Sequence, residues 1–202
     1  NLWSKKINDK SLLEIKIKQC LKLDIFDKVI VASDTQKVLK ILDKFEDNRL
    51  CFFKRDRDET IRSRTLLHTF KKVIDKFDPE YKGILVNCFY NSPFIDSKTI
   101  EESIQTLIFN SANSCLGVEV LREDIYYRTN YGIKPINQRN IFRTEQDFLF
   151  RDVKGAFATL TSNIKDGTII GSNLVNYIVN SSEVFYIDSK FKLEMASKFN
   201  ND

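Results

Sequence analysis

Apolar positions along the chain alternate between short continuous runs and runs at helical spacing. Gly83 opens Ile84-Leu85-Val86, which continues through Cys88 and Phe89, and this length and β-branched content predict a buried strand. Asn91-Ser92-Pro93 stops it, because Pro93 has no N–H for a ladder and biases Ser92 away from helix. Asp96 or Ser97 can cap a helix after this turn, in which Ile100, Ile104, Leu107 and Ile108 recur at helical spacing up to about Asn110. Ahead of this unit the same alternation runs twice. Ser11 and Glu14 have capping-box spacing before a helix with Leu13, Ile17, Cys20 and Leu21 on one face. Lys28–Ala32 is a buried strand, Ser33-Asp34-Thr35 caps a helix faced by Val38, Leu39, Ile41, Leu42 and Phe45, and Arg49–Phe53 is the next strand. Leu66–Phe77 is a helix. Cys115–Leu121, Gly155–Leu160 and Val184–Ile187 are strands, Lys190–Phe199 is a closing helix, and Asn1–Lys10 is polar and irregular.

Strands and helices in alternation, joined by short connections, predict an α/β fold with a largely parallel sheet and right-handed crossovers. Residues 122–150 break the rhythm with Tyr126, Tyr127, Tyr131, Gly132 and Pro135, followed by Arg139 and Arg143, an antiparallel excursion whose aromatics suit an interface. At 202 residues the chain is long enough for one such domain, taken as residues 1–202. Ligands in open α/β sheets bind outside the carboxyl ends of the strands, so that edge is where the chemistry is expected.

Composition narrows the classes. Hydrophobic residues make up 42% and charged residues 30%, and no apolar run reaches membrane-spanning length, so neither a membrane nor a targeting segment is expected. The net charge of +4 comes from lysines interleaved with Asp and Glu, which argues against a nucleic-acid binder and permits a small anionic ligand. The four cysteines, Cys20, Cys51, Cys88 and Cys115, lack any metal-binding spacing and suit buried thiols in a reducing cytoplasm.

Candidate chemistry gathers at the predicted strand ends. Lys54–Arg64 is the densest charge cluster and reads mostly as a solvated loop; since it comes directly after a strand, Arg55 is equally a candidate phosphate grip. His68, the single histidine, has no nucleophile at a recognisable spacing and is read as structural. Asp188 at a strand end can ligate a hard cation, although Asp188-Ser189 equally makes a helix cap.

Several of these stretches together resemble the acylneuraminate cytidylyltransferases, or CMP-sialic acid synthetases. Ser11-Leu-Leu-Glu-Ile followed by Asp27-Lys-Val-Ile-Val-Ala-Ser-Asp34 is similar to that family's opening. Asn91-Ser-Pro-Phe94 matches the tail of its Gln-Pro-Thr-Ser-Pro-Leu-Arg loop. Arg143, Arg151 and Gly155-Ala-Phe157 resemble its paired arginines before an Asn-Gly-Ala strand, and Tyr186-Ile-Asp-Ser189 resembles its Asp-Ile-Asp metal motif. The resemblance implies a three-layer sheet of the nucleotide-diphospho-sugar transferase type and a homodimer formed through the 122–150 excursion. It also implies a reaction in which CTP activates a nonulosonic acid with Mg²⁺. It assigns Asp188 to the metal, Asn1, Arg55, Asn91 and Ser92 to the nucleotide, and Arg143 and Arg151 to the sugar.

The departures are as specific as the matches. The family's first strand and Gly-rich phosphate loop have no counterpart here, since Asn1 matches the last residue of that motif; without that central strand two sheet edges are expected to be unpaired. Phe89, Tyr90 and Ile95 stand at the family's Gln, Pro and Arg, and Tyr186 at its first metal-motif Asp. These changes keep open a second expectation, a non-catalytic member of the fold acting as a binding or dimerisation module.

Overall fold

A computed structural model describes residues 2–56, 66–136 and 149–199. In chain order the strands and helices begin with β1 (Lys6–Ile7), β2 (Lys10–Ser11), α1 (Leu12–Leu21), β3 (Val29–Ser33), α2 (Leu39–Leu42) and β4 (Leu50–Lys54). They continue with α3 (Leu66–Phe77), β5 (Ile84–Cys88), α4 (Ser97–Phe109), β6 (Ser114–Leu121), β7 (Tyr126–Thr129) and β8 (Gly132–Pro135). The last are β9 (Leu149–Leu160), α5 (Thr161–Lys165), β10 (Leu174–Ile178) and α6 (Lys190–Lys198).

The α/β class is as expected, and local chemistry explains most element starts. At the head of α1, Ser11 Oγ accepts from Glu14 N while Glu14 Oε2 accepts from Ser11 N, a complete capping box. Asp96 caps α4 through Thr99 N, and Ser189 caps α6 through Lys192 N.

The strands form two separate ladders in the body of the molecule. β3 and β4 pair in parallel, with Val29 opposite Leu50 and Ser33 opposite Lys54. The second ladder runs β10-β6-β9-β5; β10 is parallel to β6, but β9 is antiparallel to both β6 and β5, so this sheet is mixed. The excursion is antiparallel as expected, a β7–β8 hairpin.

Three expectations need correction. Residues before Ser11 are not wholly irregular, because β1 and β2 make a small hairpin with Asn8 and Asp9 at positive φ in its turn. Val184–Ile187 is not a strand: it is an extended segment that reaches the fold through one backbone bond, Ile187 N to Asn91 O at 2.8 Å. β10, unforeseen, takes the place in the sheet beside β6.

The core is centred on the four-stranded sheet. Ile100 and Leu107 of α4, Cys115 of β6, Ala156 and Ala158 of β9 and Tyr177 of β10 form one buried cluster. Gly155 belongs to this packing because a Cβ there would lie 2.7 Å from Ile95 Cδ1. On the β3–β4 side, Leu13 and Ile17 of α1 and Ile41 and Leu42 of α2 pack with Val31, Leu50 and Phe52. Cys20 and Cys115 are buried and Cys51 and Cys88 half-buried, and all four are free thiols.

Candidate active site

The carboxyl ends of β3, β4 and β5 present Ser33-Asp34, Arg55 and the Phe89–Ile95 turn. Because β9 runs antiparallel to β5, the part of β9 around Gly155-Ala156 meets β5 at that same end, with Cys88 opposite Ala156 and Phe89 N donating to Gly155 O. Two bonds fix this junction. Ser92 Oγ donates to Lys154 O at 2.7 Å, and Asn91 O accepts from Ile187 N at 2.8 Å. The first holds Lys154 in the left-handed region, φ 51°, where its own N–H is met by Asp152 Oδ1 at 2.8 Å. The second brings the segment carrying Tyr186 and Asp188 alongside the turn.

Between that segment and β9 lies a cleft of about 310 Å³. Its charged lining is Arg151, Lys154, Lys192 and Asp152, with Arg151 paired to Glu119 and Lys192 to Asp188 at its margin. Lys154 Nζ lies 5.2 Å from the centre of the Tyr186 ring, a cation–π arrangement that holds the ammonium over the floor of the cleft. Such a cleft lies on the ligand edge of an α/β sheet, with Lys154 as a cation that an anionic group could meet.

Each candidate site residue has a definite place except Asn1 and Arg143, which lie outside the described residues, as do Arg139 and residues 57–64 of the charge cluster. Asp188 is exposed at the head of α6, where Lys192 Nζ donates to its Oδ2 at 2.9 Å; that bond holds its carboxyl below the usual range. Asn91 is half-buried beside it. Ser92 is 1% exposed and its hydroxyl is engaged by Lys154 O, so it shapes the pocket wall from behind. Arg151 sits on β9 directly across from Glu119 of β6 and pairs with it while lining the cleft. Arg55 comes directly after β4, its N–H donating to Ser33 O at 2.9 Å, on the β3–β4 side. His68 is exposed on α3.

Of the substituted positions, Ile95 is structural. Ile95 is fully buried and fills the space that Gly155 leaves, where the resemblance would place an arginine. Its carbonyl accepts from Lys16 Nζ at 3.1 Å. That ammonium is buried beneath the turn, and burial pushes its pKa down. Sequence reasoning does not single out Lys154 and Lys192 as ligand cations; the signals for them are the Lys-Gly pair opening the β9 core segment and a lysine four residues after Asp188 on a helix.

A family profile described as cytidylyltransferase matches residues 4–159. The chain belongs to the cytidylyltransferase family. This cytidylyltransferase chain also has the fold of solved structures. One is 4-diphosphocytidyl-2C-methyl-D-erythritol synthase from Anaerococcus prevotii, with TM-score 0.72 at 11% identity, over 96% of this chain and 87% of that one. Another structure of 4-diphosphocytidyl-2C-methyl-D-erythritol synthase gives TM-score 0.69 at 11% identity, over 97% and 92%. At such identity the likeness concerns the fold. A search of curated proteins finds no match.

The acylneuraminate resemblance implies magnesium. Among the described residues no three His, Cys, Asp or Glu side chains gather as a metal cage. Mg²⁺ bound with nucleotide phosphates needs only one or two protein carboxylates, and Asp188, with Oδ1 not engaged by Lys192, fits that lesser requirement.

Proposed function

We propose that this cytidylyltransferase joins CMP to an acidic sugar of the nonulosonic class, with release of pyrophosphate. The observation that carries the reading is the polar cleft that brings Arg151, Lys154 and Lys192 together beside Asp188, on the sheet edge where a nucleotide would lie. A sugar hydroxyl oxygen attacks the α-phosphorus of CTP, the bond from that phosphorus to the β-phosphate bridging oxygen breaks, and the hydroxyl proton passes to solvent. Arg151 and Lys154 orient the substrate carboxylate, and Arg55 and Asn91 face the nucleotide side. Asp188 would hold Mg²⁺, which when bound neutralises charge growing on the phosphates. The sugar acid is supported by Lys154 in the cleft and by the resemblance in the Arg143–Phe157 stretch; the methylerythritol named for the solved structures is the competing acceptor.

The test is release of pyrophosphate from CTP and Mg²⁺ with a sialic-type acid and, separately, with a methylerythritol phosphate. Turnover with the acid, falling at least about tenfold in Lys154→Ala, fits the proposal. Turnover with the erythritol phosphate alone replaces the sugar class. A non-catalytic role is favoured by one observation, the filling of the arginine position by buried Ile95. No turnover with any acceptor, together with no rise in melting temperature with CTP, would establish that role. The 122–150 excursion supports a homodimer in either case: Tyr131 is 100% exposed and Ile133 69% exposed on the β7–β8 hairpin.

A further inference from the structure

Behind the Phe89–Ile95 turn, α1 and the end of β5 bring together three reactive side chains that the proposed reaction does not use. Lys16 and Cys20 are four residues apart and share one face of α1. Lys16 is 4% exposed and Cys20 7% exposed. Cys88, the last residue of β5, is half-buried and packs against the core cluster that holds Cys20. The two thiols are hydrogen-bonded to each other, with Cys20 donating. The same helix grips the turn. Lys16 Nζ donates to Ile95 O at 3.1 Å, Gln19 Nε2 donates to Pro93 O at 2.8 Å, and Ser97 Oγ donates to Gln19 O at 2.9 Å.

A buried ammonium is destabilising without a counter-charge, and the groups whose charge Lys16 meets are Cys88, Cys20, Glu183 and Asp96. Of the two carboxylates, Glu183 is already engaged, its Oε2 accepting from Asp96 N at 3.1 Å. The two thiols do not stand alike. The hydrogen bond from Cys20, with the Lys16 charge, holds the Cys88 thiol below its ordinary value although burial opposes it. That same hydrogen bond, together with burial, pushes Cys20 up. Cys88 is thus the nucleophile, half-open to a small reagent, and Cys20 is a buried thiol in contact with it. Cys115, in the same cluster, is pushed up to about 11 by burial.

We propose that Cys88 and Cys20 are a peroxide-reactive dithiol that closes to a reversible disulfide beneath the turn, with Lys16 as its positioning residue. Cys88 gives its proton to Lys16 and its sulfur attacks one oxygen of hydrogen peroxide. The O–O bond breaks, and the departing hydroxide takes the proton from Lys16 and leaves as water. The sulfenic acid on Cys88 is then attacked by the Cys20 sulfur; the S–S bond forms, the S–O bond breaks, and the oxygen leaves with the Cys20 proton as a second water. Two thiols are oxidised and one peroxide is reduced to two waters. The sulfurs close from hydrogen-bonding separation to about 2.05 Å, which draws α1 and β5 together where Lys16 and Gln19 hold the turn carrying Asn91 and Ser92. The proposal stands apart from the choice of acceptor.

Treatment of the reduced chain with equimolar hydrogen peroxide, followed by denaturation, alkylation and peptide mass analysis, tests this. The Cys20 and Cys88 peptides should be joined with the loss of two hydrogens, Cys51 and Cys115 should be alkylated, and dithiothreitol should restore all four thiols. In Cys20→Ser the reaction should stop at a sulfenic acid on Cys88, which dimedone traps. Cys88→Ser should consume peroxide at least about tenfold more slowly than the unaltered chain. Lys16→Met should move the pH profile of Cys88 alkylation to higher pH, whereas mere loosening of α1 would speed alkylation at every pH; an unmoved profile overturns the part given to Lys16. The unaltered chain carries the deciding measurement, so a variant that fails to fold leaves it intact. A disulfide through Cys51 or Cys115, a link between two chains that grows with protein concentration, or oxidation of Cys88 no faster than that of free cysteine would each overturn the proposal.

Discussion

The strands of the two ladders are built from similar residues, and the structure treats them differently. VIVAS in β3 and LCFFK in β4 are nowhere fully buried. In the four-stranded sheet, β9 is buried at Val153 and continuously from Gly155 to Thr159. The difference is one of neighbours. β9 has a strand on each side, α4 over one face, and below it a polar network in which Thr159 Oγ1 meets Ser114 Oγ at 3.1 Å and Asn163 Nδ2 at 2.8 Å. Among the described residues β3 has one neighbouring strand. Hydropathy says that a strand can be buried; pairing on both edges decides whether it is. The candidate site spans both regions, with Arg151, Lys154 and Asn91 tied to the four-stranded sheet and Asp34 and Arg55 carried by the other.

The sharpest break of this comparison is a pair of truncations. Ile100 is fully buried in the larger cluster, and Ile100→Ala should cost about 3 to 4 kcal/mol of unfolding free energy. Val31→Ala, in a half-buried strand, should cost about 1 kcal/mol. Urea midpoints measure both. Equal costs would mean that the β3–β4 side is packed as tightly as the other, against the half-burial seen here.

Legibility from sequence divides along the same line. The helix over Leu66–Phe77, the strand over Ile84–Cys88 and the capping box at Ser11 and Glu14 are local, set by periodicity and cap chemistry, and all stand as expected. β10 is not legible because Leu174–Ile178 is short and carries an asparagine at its centre; its place comes from pairing with β6, across 60 positions from Asn176 to Leu116. Val184–Ile187 misleads because an apolar β-branched run looks the same whether it enters a ladder or packs as an extended strap, here through Ile187 against Ile7 and Leu12. At the site, the convergence of Asn91 with Asp188 is legible from their places after predicted apolar runs. The roles of Lys154 and Lys192 are not, since they depend on a positive φ held by Ser92 and on a register that only the folded chain has.

Ser92 gives the next, smaller test, on the rigid side of the site. Its buried hydroxyl donates to Lys154 O, so Ser92→Ala leaves a carbonyl short of one donor and should cost about 1 to 2 kcal/mol. The cost should come with looser placement of Lys154, read, for the acidic acceptor of the proposed function, as a rise in KM larger than any fall in kcat. A stability loss with unchanged KM would detach this hydrogen bond from the ligand cation it is argued to position.

The least effect, and one that addresses the other side, is an acid titration. Burial works to raise the Glu14 carboxyl, but bonds from Lys44 and from the Ser11 hydroxyl and backbone outweigh it, and its pKa falls from 4.5 to about 2. A carboxyl depressed on folding contributes stability that is complete above its unfolded value and is lost as pH falls through the folded one. The contribution therefore fades between about pH 4.5 and pH 2. Lys44 is largely exposed, so solvent screens the pair, and Glu14→Gln should cost about 1 kcal/mol at neutral pH and almost nothing at pH 2. Because Glu14 joins α1 to the residues just past α2, the loss should appear first in exchange of β3 amides and only later in those of β9. Simultaneous loosening of both strands in acid would show that the two ladders open as one unit, and the contrast in burial between them would then carry no difference in stability.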